Sequence, residues 1–367
     1  MALSFFIISV IFSFVLTFLV RRLALKWGVI DKPDLVRKIH LRPVPLLGGL
    51  AIFSSFFIFL FIVKQVKGWP TDLVLNKHLI GIFFAGLILM VGGWLDDKYD
   101  FKPRWQIIWP ILACLTVIAS GIGIEYINNP FSSLSDQGGK YFYLNQPKIE
   151  IIRLGNVPYY FTPWSDLITF IWLMVLMYST KLLDGLDGLV SGLCFIGCLG
   201  IAGLCFLTKF YQPDIGLISL ILSGCFLGFL FFNWHPAKIF LGEGGSLFAG
   251  FILGVISIIS GSKIATTFLI SGLAVIDLVG VIIQRLVNKG SPFVADKRHL
   301  HFRLLDAGLS HRSIVVFYWL VALVFGLTSL FLKTKGKIIS LIVLFVLAIF
   351  LIAKFFIKEK LEKKYSK

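Results

Sequence analysis

Lys181-Leu-Leu-Asp-Gly-Leu-Asp-Gly-Leu189 lies between two apolar segments, 167–178 and 189–207. It places two carboxylates and two glycines where one hydrophobic run stops and the next begins. Asp184 and Asp187 are three apart, so on helical geometry they share a face. Carboxylates at a membrane boundary are costly and by default mark a functional site. Gly185 and Gly188 allow close approach of a backbone or a ligand. A glycine-rich turn carrying solvated acids is the plain alternative.

Composition supports the membrane setting. The 367 residues are 57% hydrophobic and 15% charged, with mean hydropathy +0.90, values that belong to a polytopic membrane protein. A spanning helix needs about 20 apolar residues. Eleven segments qualify: 2–20, 46–63, 80–95, 107–124, 167–178, 189–207, 215–232, 247–260, 264–287, 314–332 and 338–357, with the fifth and eighth short. The expected fold is all-α, with about ten to eleven transmembrane helices. Residues 1–357 form one integral membrane domain and 358–367 a basic tail. The first segment lacks a basic start and a small-residue cleavage site, so it reads as an uncleaved span.

The formal charge of +16 is mainly a topology signal. With the N-terminus outside and the spans alternating, about 24 of the 35 basic residues fall on the inner side. Attraction to anionic lipid is a second effect. No basic, aromatic-laced stripe suggests a nucleic-acid groove. The five cysteines all fall within apolar spans and read as packing residues without disulfides. A long outer loop, 125–164, contains β-prone stretches 141–144 and 148–154 around Asn145-Gln146-Pro147, which predicts a small hairpin.

Under this topology the motif-like segments 21–45, 96–106, 180–188, 233–246 and 288–312 all lie on the inner side. A transporter would place ionisable groups nearer the bilayer midplane. Gathering at one interface suits an enzyme that joins a water-soluble donor to a lipid acceptor. Asp96-Asp97 is an adjacent acid pair able to divide protonation roles. Gly242-Glu-Gly-Gly-Ser246 could open a helix and bind phosphate through backbone amides, or simply cap it with Ser246. Asp296-Lys-Arg-His-Leu-His-Phe-Arg303 sets Lys297, Arg298 and Arg303 beside His299 and His301, a set able to neutralise a diphosphate. Arg37-Lys-Ile-His40 is basic and precedes prolines and Gly48-Gly49.

These motifs, in this order, resemble the polyprenyl-phosphate N-acetylhexosamine-1-phosphate transferases of glycosyltransferase family 4. The resemblance runs from Asp31 to Arg312. Its most specific string is Leu183-Asp-Gly-Leu-Asp-Gly-Leu189. Lys38, His40, Pro43, Pro45, Asp96-Asp97, Pro236-Ala-Lys-Ile-Phe-Leu-Gly242 and Gly245-Ser246 also correspond. The loop from Asp296 is similar to the sugar-phosphate branch rather than the phospho-MurNAc-pentapeptide branch. The resemblance implies transfer of a sugar-1-phosphate, by default N-acetylglucosamine-1-phosphate, from a UDP-sugar to undecaprenyl or polyprenyl phosphate. UMP is released and Mg²⁺ bridges the diphosphate. It implies catalytic roles for Asp96, Asp97, Asp184 and Asp187, and metal ligation by Glu243 and Asp187. Substrate contacts would come from Lys38, His40, Lys181, Gly242, Gly245, Ser246, Lys297, Arg298, His299, His301 and Arg303. It further implies an inner (plasma) membrane enzyme with a cytoplasmic active site, one that can form a homodimer.

Four positions depart from the family pattern: Lys181 for Asn, Glu243 for Asp, Gln106 for Lys and Phe302 for His. A protonated lysine cannot ligate a metal. Two readings follow. Lys181 takes over charge neutralisation from Mg²⁺ or the missing lysine and activity survives. Or Lys181 pairs with Glu243, closes the metal site and leaves a protein that binds lipid phosphate without turnover. A lipid or sugar transporter is the alternative from another class.

Overall fold

The computed structural model describes residues 2–31, 43–67, 76–129, 141–154, 157–207, 211–261, 263–287, 298–332 and 334–365. In chain order these form α1 (Ala2–Trp27), β1 (Ile30–Asp31), β2 (Val44–Pro45), α2 (Gly48–Lys67), α3 (Asn76–Tyr99), α4 (Pro103–Gln106), α5 (Ile108–Ala119), β3 (Tyr126–Asn128), β4 (Tyr141–Tyr143), β5 (Ile149–Leu154) and β6 (Val157–Phe161). They continue with α6 (Pro163–Leu183), α7 (Leu189–Leu207), α8 (Pro213–Asn233), α9 (Gly242–Ile259), α10 (Ile264–Val287), α11 (Leu300–Asp306), α12 (His311–Phe331) and α13 (Thr334–Tyr365). Ten of the described helices are long and apolar enough to cross a membrane. This is an all-α polytopic membrane fold with only small strand pairs.

Packing follows bilayer logic, with small residues inside and large apolar ones outside. On α1, Ser9, Ser13 and Thr17 are fully buried while Ile7, Ile11 and Phe14 are exposed. The buried stripe meets Gly224 and Gly228 of α8, where a Cβ would strike Ser9 and Val10 respectively. The Ser13 hydroxyl donates to the Cys225 carbonyl at 2.7 Å. Helix α9 is almost wholly buried and contacts α2, α3, α6, α7 and α10. It is the central post on which the other site-bearing helices converge.

Three expectations are corrected. The fifth and eighth spans are full length, because α6 starts at Pro163 and α9 at Gly242. The short one is the fourth. Pro103 opens a single turn, and α5 has 12 residues, about 18 Å long. It still returns along α3: Gly92 abuts Trp109 near one end and Gly81 abuts Ser120 near the other. The predicted hairpin of 141–144 with 148–154 does not form. Its first strand pairs with β3 (Tyr126↔Tyr143) and its second with β6 (Ile149↔Phe161). Tyr126 and Tyr141 rings meet at 5.0 Å, and such aromatic cross-strand contacts favour the observed partner. The sequence between β5 and β6 is Gly155-Asn156, a stronger turn signal than Asn145-Gln146-Pro147.

The segment before α9 is laid beside the entrance to α2. Phe240 N–H donates to Pro45 O at 2.9 Å, Gly48 N–H to Phe240 O at 2.9 Å, and Gly49 N–H to Leu241 O at 2.8 Å. These bonds fix where α9 begins relative to α2 and α3.

Candidate active site

The acids of the motif-bearing segments come together at one end of the bundle. Asp96 and Asp97 close α3 and point to different partners. Asp96 is buried. It accepts from the Phe101 N–H at 2.9 Å and from Gln106 Nε2 at 3.2 Å. The other atom of that amide, Gln106 Oε1, accepts from Lys181 Nζ at 3.0 Å. Lys181 in turn forms an ion pair with Glu243. A relay Asp96–Gln106–Lys181–Glu243 thus joins the ends of α3, α4, α6 and α9.

Asp97 presents both oxygens to the Glu243 N–H, each at 3.2 Å, and so satisfies an otherwise unpaired amide of the first turn of α9. Gly242 there has φ +74°, and a Cβ would stand 2.7 Å from Asp97 Oδ2. Only glycine meets both demands. Gly244 and Gly245 abut Gly93 and Gly49 backbone to backbone, while the buried Ser246 hydroxyl donates to Glu243 O at 3.0 Å. The glycines of this turn therefore serve helix contact. Of the backbone amides expected to bind phosphate in this turn, that of Glu243 is already taken by Asp97.

Asp184 and Asp187 lie in a turn between α6 and α7 rather than on a helix, which corrects the shared-face expectation. Their glycines break the helix before a common face can form. Burial, reinforced by neighbouring Glu243, Asp187 and Asp97, holds the Asp184 carboxyl well above the usual carboxylate range. Asp187 turns toward the loop before α9. Its Oδ2 meets His235 Nδ1 at 2.7 Å and accepts from the Ala237 N–H at 3.0 Å. Asn233 Oδ1 ties the turn from behind, accepting from Gly188 N–H at 3.1 Å and from the Ser191 hydroxyl at 2.8 Å.

The histidine loop supports this turn from below. His301 is fully buried, and a Cβ at Gly185 would come within 2.7 Å of its Nε2. Burial, with His299 and His311 nearby, lowers His301 to about 3, so it is neutral at physiological pH. His299 Nδ1 meets Asp277 Oδ2 at 2.9 Å, and Asp277 Oδ1 accepts from the Leu300 N–H at 2.9 Å. Arg303 donates to Gln284 Oε1 at 3.2 Å, and Arg298 is exposed at the loop edge. Lys38, His40 and Lys297 lie outside the described residues.

Residues 79–261, which hold the relay and the Asp184–Asp187 turn, match the model of glycosyl transferase family 4. Over 354 residues the chain is 32% identical to a probable undecaprenyl-phosphate N-acetylglucosaminyl 1-phosphate transferase of Bacillus subtilis, covering 94% of this chain and 89% of the relative. This chain belongs to glycosyl transferase family 4. Another family 4 relative is a decaprenyl-phosphate N-acetylglucosaminephosphotransferase of Mycolicibacterium smegmatis, 27% identical with 90% and 82% coverage. A phospho-N-acetylmuramoyl-pentapeptide-transferase of Prochlorococcus marinus is 31% identical with 79% and 77% coverage.

Sequence reasoning missed three residues of this family 4 site. His235 and His311 join Asp187 in one cluster, yet each is a lone histidine without diagnostic spacing. Asp277 anchors the histidine loop, and its signal was present: a single acid inside an apolar span needs a partner.

Proposed function

We propose that this chain transfers a sugar-1-phosphate, by default N-acetylglucosamine-1-phosphate, from a UDP-sugar to undecaprenyl or a similar polyprenyl phosphate, releasing UMP. One observation carries the reading. An apolar cleft of about 200 Å³, walled by Trp27, Leu47, Leu50, Met90 and Trp94, also has Asp97 and Gly244 in its lining. A greasy chain fits its walls, and a phosphate beside Asp97 meets the acid cluster. The names of the Bacillus and Mycolicibacterium relatives point to the same acceptor class.

In this reading an acceptor phosphate oxygen attacks the phosphorus nearest the sugar, and the bond from that phosphorus to the bridging oxygen of UMP breaks. Asp97 faces the cleft and prepares the acceptor phosphate. Asp96 is enclosed by Phe101 and Gln106 and positions the relay. Lys181 is the ammonium placed among the carboxylates, and it offsets charge on the diphosphate. Asp187 orients the loop from His235 to Ala237 at the nucleotide side. His299 and Arg303 hold the donor side through the loop that Asp277 fixes, with neutral His301 beneath the turn.

The donor set fits a hard cation, since Glu243 and the crowded Asp184 offer oxygen ligands. Both would hold Mg²⁺; Asp187 turns away from them, toward His235 and Ala237. When bound, Mg²⁺ would offset charge on the leaving UMP. Lys181 competes for Glu243, so the requirement for the metal is weakened. The basic character of the motif-bearing loops supports a site on the cytoplasmic side of the plasma membrane, with the N-terminus outside.

The Lys181–Glu243 pair also favours a second reading, a lipid-phosphate binder without turnover. One assay separates them. Membranes carrying the chain receive undecaprenyl phosphate and a panel of UDP-sugars, with and without Mg²⁺. Lipid-linked sugar and UMP in equal amounts support the transferase. Lipid binding without UMP supports the second reading and overturns the first.

A further inference from the structure

Apart from the carboxylate–lysine relay, the described residues contain one group of three metal-ligating residue types close together: Asp187, His235 and His311, whose ligand atoms all lie within 4.8 Å of one another. They come from three segments far apart in sequence: the turn after α6, the loop before α9 and the first residue of α12. His235 Nδ1 lies 2.7 Å from Asp187 Oδ2. The His235 and His311 rings stack at 4.0 Å and 19°. His311 Nε2 is buried and has no hydrogen-bond partner among the described residues. A buried ring nitrogen without a partner is costly and asks for a ligand.

The surroundings hold the three groups in place. Arg312 Nη2 and Nε donate to the His235 carbonyl at 2.9 and 3.3 Å, which ties the loop to the start of α12. The Ala237 N–H fixes Asp187 Oδ2. Trp234 packs on Trp319 with centroids 5.2 Å apart. Such supporting contacts orient ligands and sustain affinity.

We propose that Asp187, His235 and His311 form a site for a borderline divalent transition ion of the Zn²⁺ type, which clips the Asp184–Asp187 turn to the foot of α12. Two imidazoles and one carboxylate suit Zn²⁺, Co²⁺ or Ni²⁺; Mg²⁺ prefers an all-oxygen set. Ligand atoms around a tetrahedral Zn²⁺ stand about 3.4 Å apart, so closing the site turns the stacked His235 and His311 rings toward one ion. Three protein ligands leave a position for water. The site differs in donor type from the hard-cation position at Glu243 and Asp184, and it stands whether or not the chain is a transferase.

The test uses the full chain, purified in detergent through a tag without histidine and titrated with Co²⁺ alone while visible absorption is read. The expected result is one Co²⁺ per chain with ligand-field bands, displaced by Zn²⁺ and not by Mg²⁺. His235→Gln and His311→Gln each weaken Co²⁺ binding by on the order of tenfold or more. His78→Gln, at the far end of α3, leaves it unchanged, and circular dichroism shows that the variants remain folded. His311→Gln keeps the Arg312 anchor, so it reports even where His235→Gln perturbs the loop. Absence of the bands, Co²⁺ affinity unchanged in both glutamine variants, equal competition by Mg²⁺, or loss of binding in His78→Gln would each overturn the proposal.

Discussion

Lys181 and Glu243 form an ion pair that joins the end of α6 to the start of α9, and Gln106 holds the same ammonium at 3.0 Å. The pair is mostly shielded, with side-chain exposures of 17% and 18%. Removing one partner strands the other near its desolvated position, at a cost of about 1–3 kcal/mol. Lys181→Asn should therefore lower thermal stability in detergent. The double variant with Glu243→Gln should be less destabilised than the sum of the two single variants. In the transferase assay Lys181→Asn should also raise the dependence on Mg²⁺. Strict additivity with an unchanged metal requirement would remove Lys181 from the account.

Helix contact at the site depends on glycine at position 93. A Cβ there would strike the backbone of Gly244, which has no side chain to swing aside. Gly93→Ala should push α3 from α9, cost on the order of 1–3 kcal/mol and lower activity by moving Asp97 from the first turn of α9. Gly203→Ala is the control. Its Cβ meets only Leu330 at 3.5 Å, and alanine favours a helix by up to about 1 kcal/mol. Paired melting curves decide the point.

Much of this arrangement was legible in the sequence. Span length and hydropathy gave the helices, and basic-residue placement brought the motif-bearing loops to one end, where Asp97, Asp184 and Glu243 do meet. The remainder depends on tertiary choices that local pattern does not encode. Segment 107–124 is apolar enough to span, but Pro103 and the Gly121-Ile-Gly123 stretch leave α5 only 12 residues. Strand β4 could pair with either neighbour, and contacts among tyrosines decided it. His235 and His311 are 76 residues apart and share a cluster only because α12 folds back beside the loop before α9.

His301 provides a pH test. Its folded-state value is about 3, against an ordinary 6.5. Below about 6.5 the unfolded chain takes up a proton that the folded chain refuses. Stability should therefore fall as pH drops from about 6.5 toward 3, by up to about 1.4 kcal/mol per pH unit from this group. His301→Gln should flatten that part of the curve. Melting temperatures of both proteins from pH 7 to pH 4 provide the check, and parallel curves would contradict it.

The cleft should distinguish the two substrates. Leu50 and Asp97 both line it. Leu50→Trp should obstruct the lipid chain and raise KM for polyprenyl phosphate by about tenfold, or about 1.4 kcal/mol, with KM for the UDP-sugar unchanged. Steady-state kinetics with each substrate varied in turn reads this split.

The central claim is that the acid cluster passes a sugar together with its own phosphate to a lipid phosphate. Two UDP-N-acetylglucosamine preparations, one labelled at the phosphorus next to the sugar and one at the phosphorus next to uridine, test it in the presence of undecaprenyl phosphate. The first label should enter the organic phase, the second should stay in water as UMP, and Asp97→Asn should abolish both products. Lipid that gains sugar without the first label, or Asp97→Asn membranes as active as the unaltered ones, would contradict it.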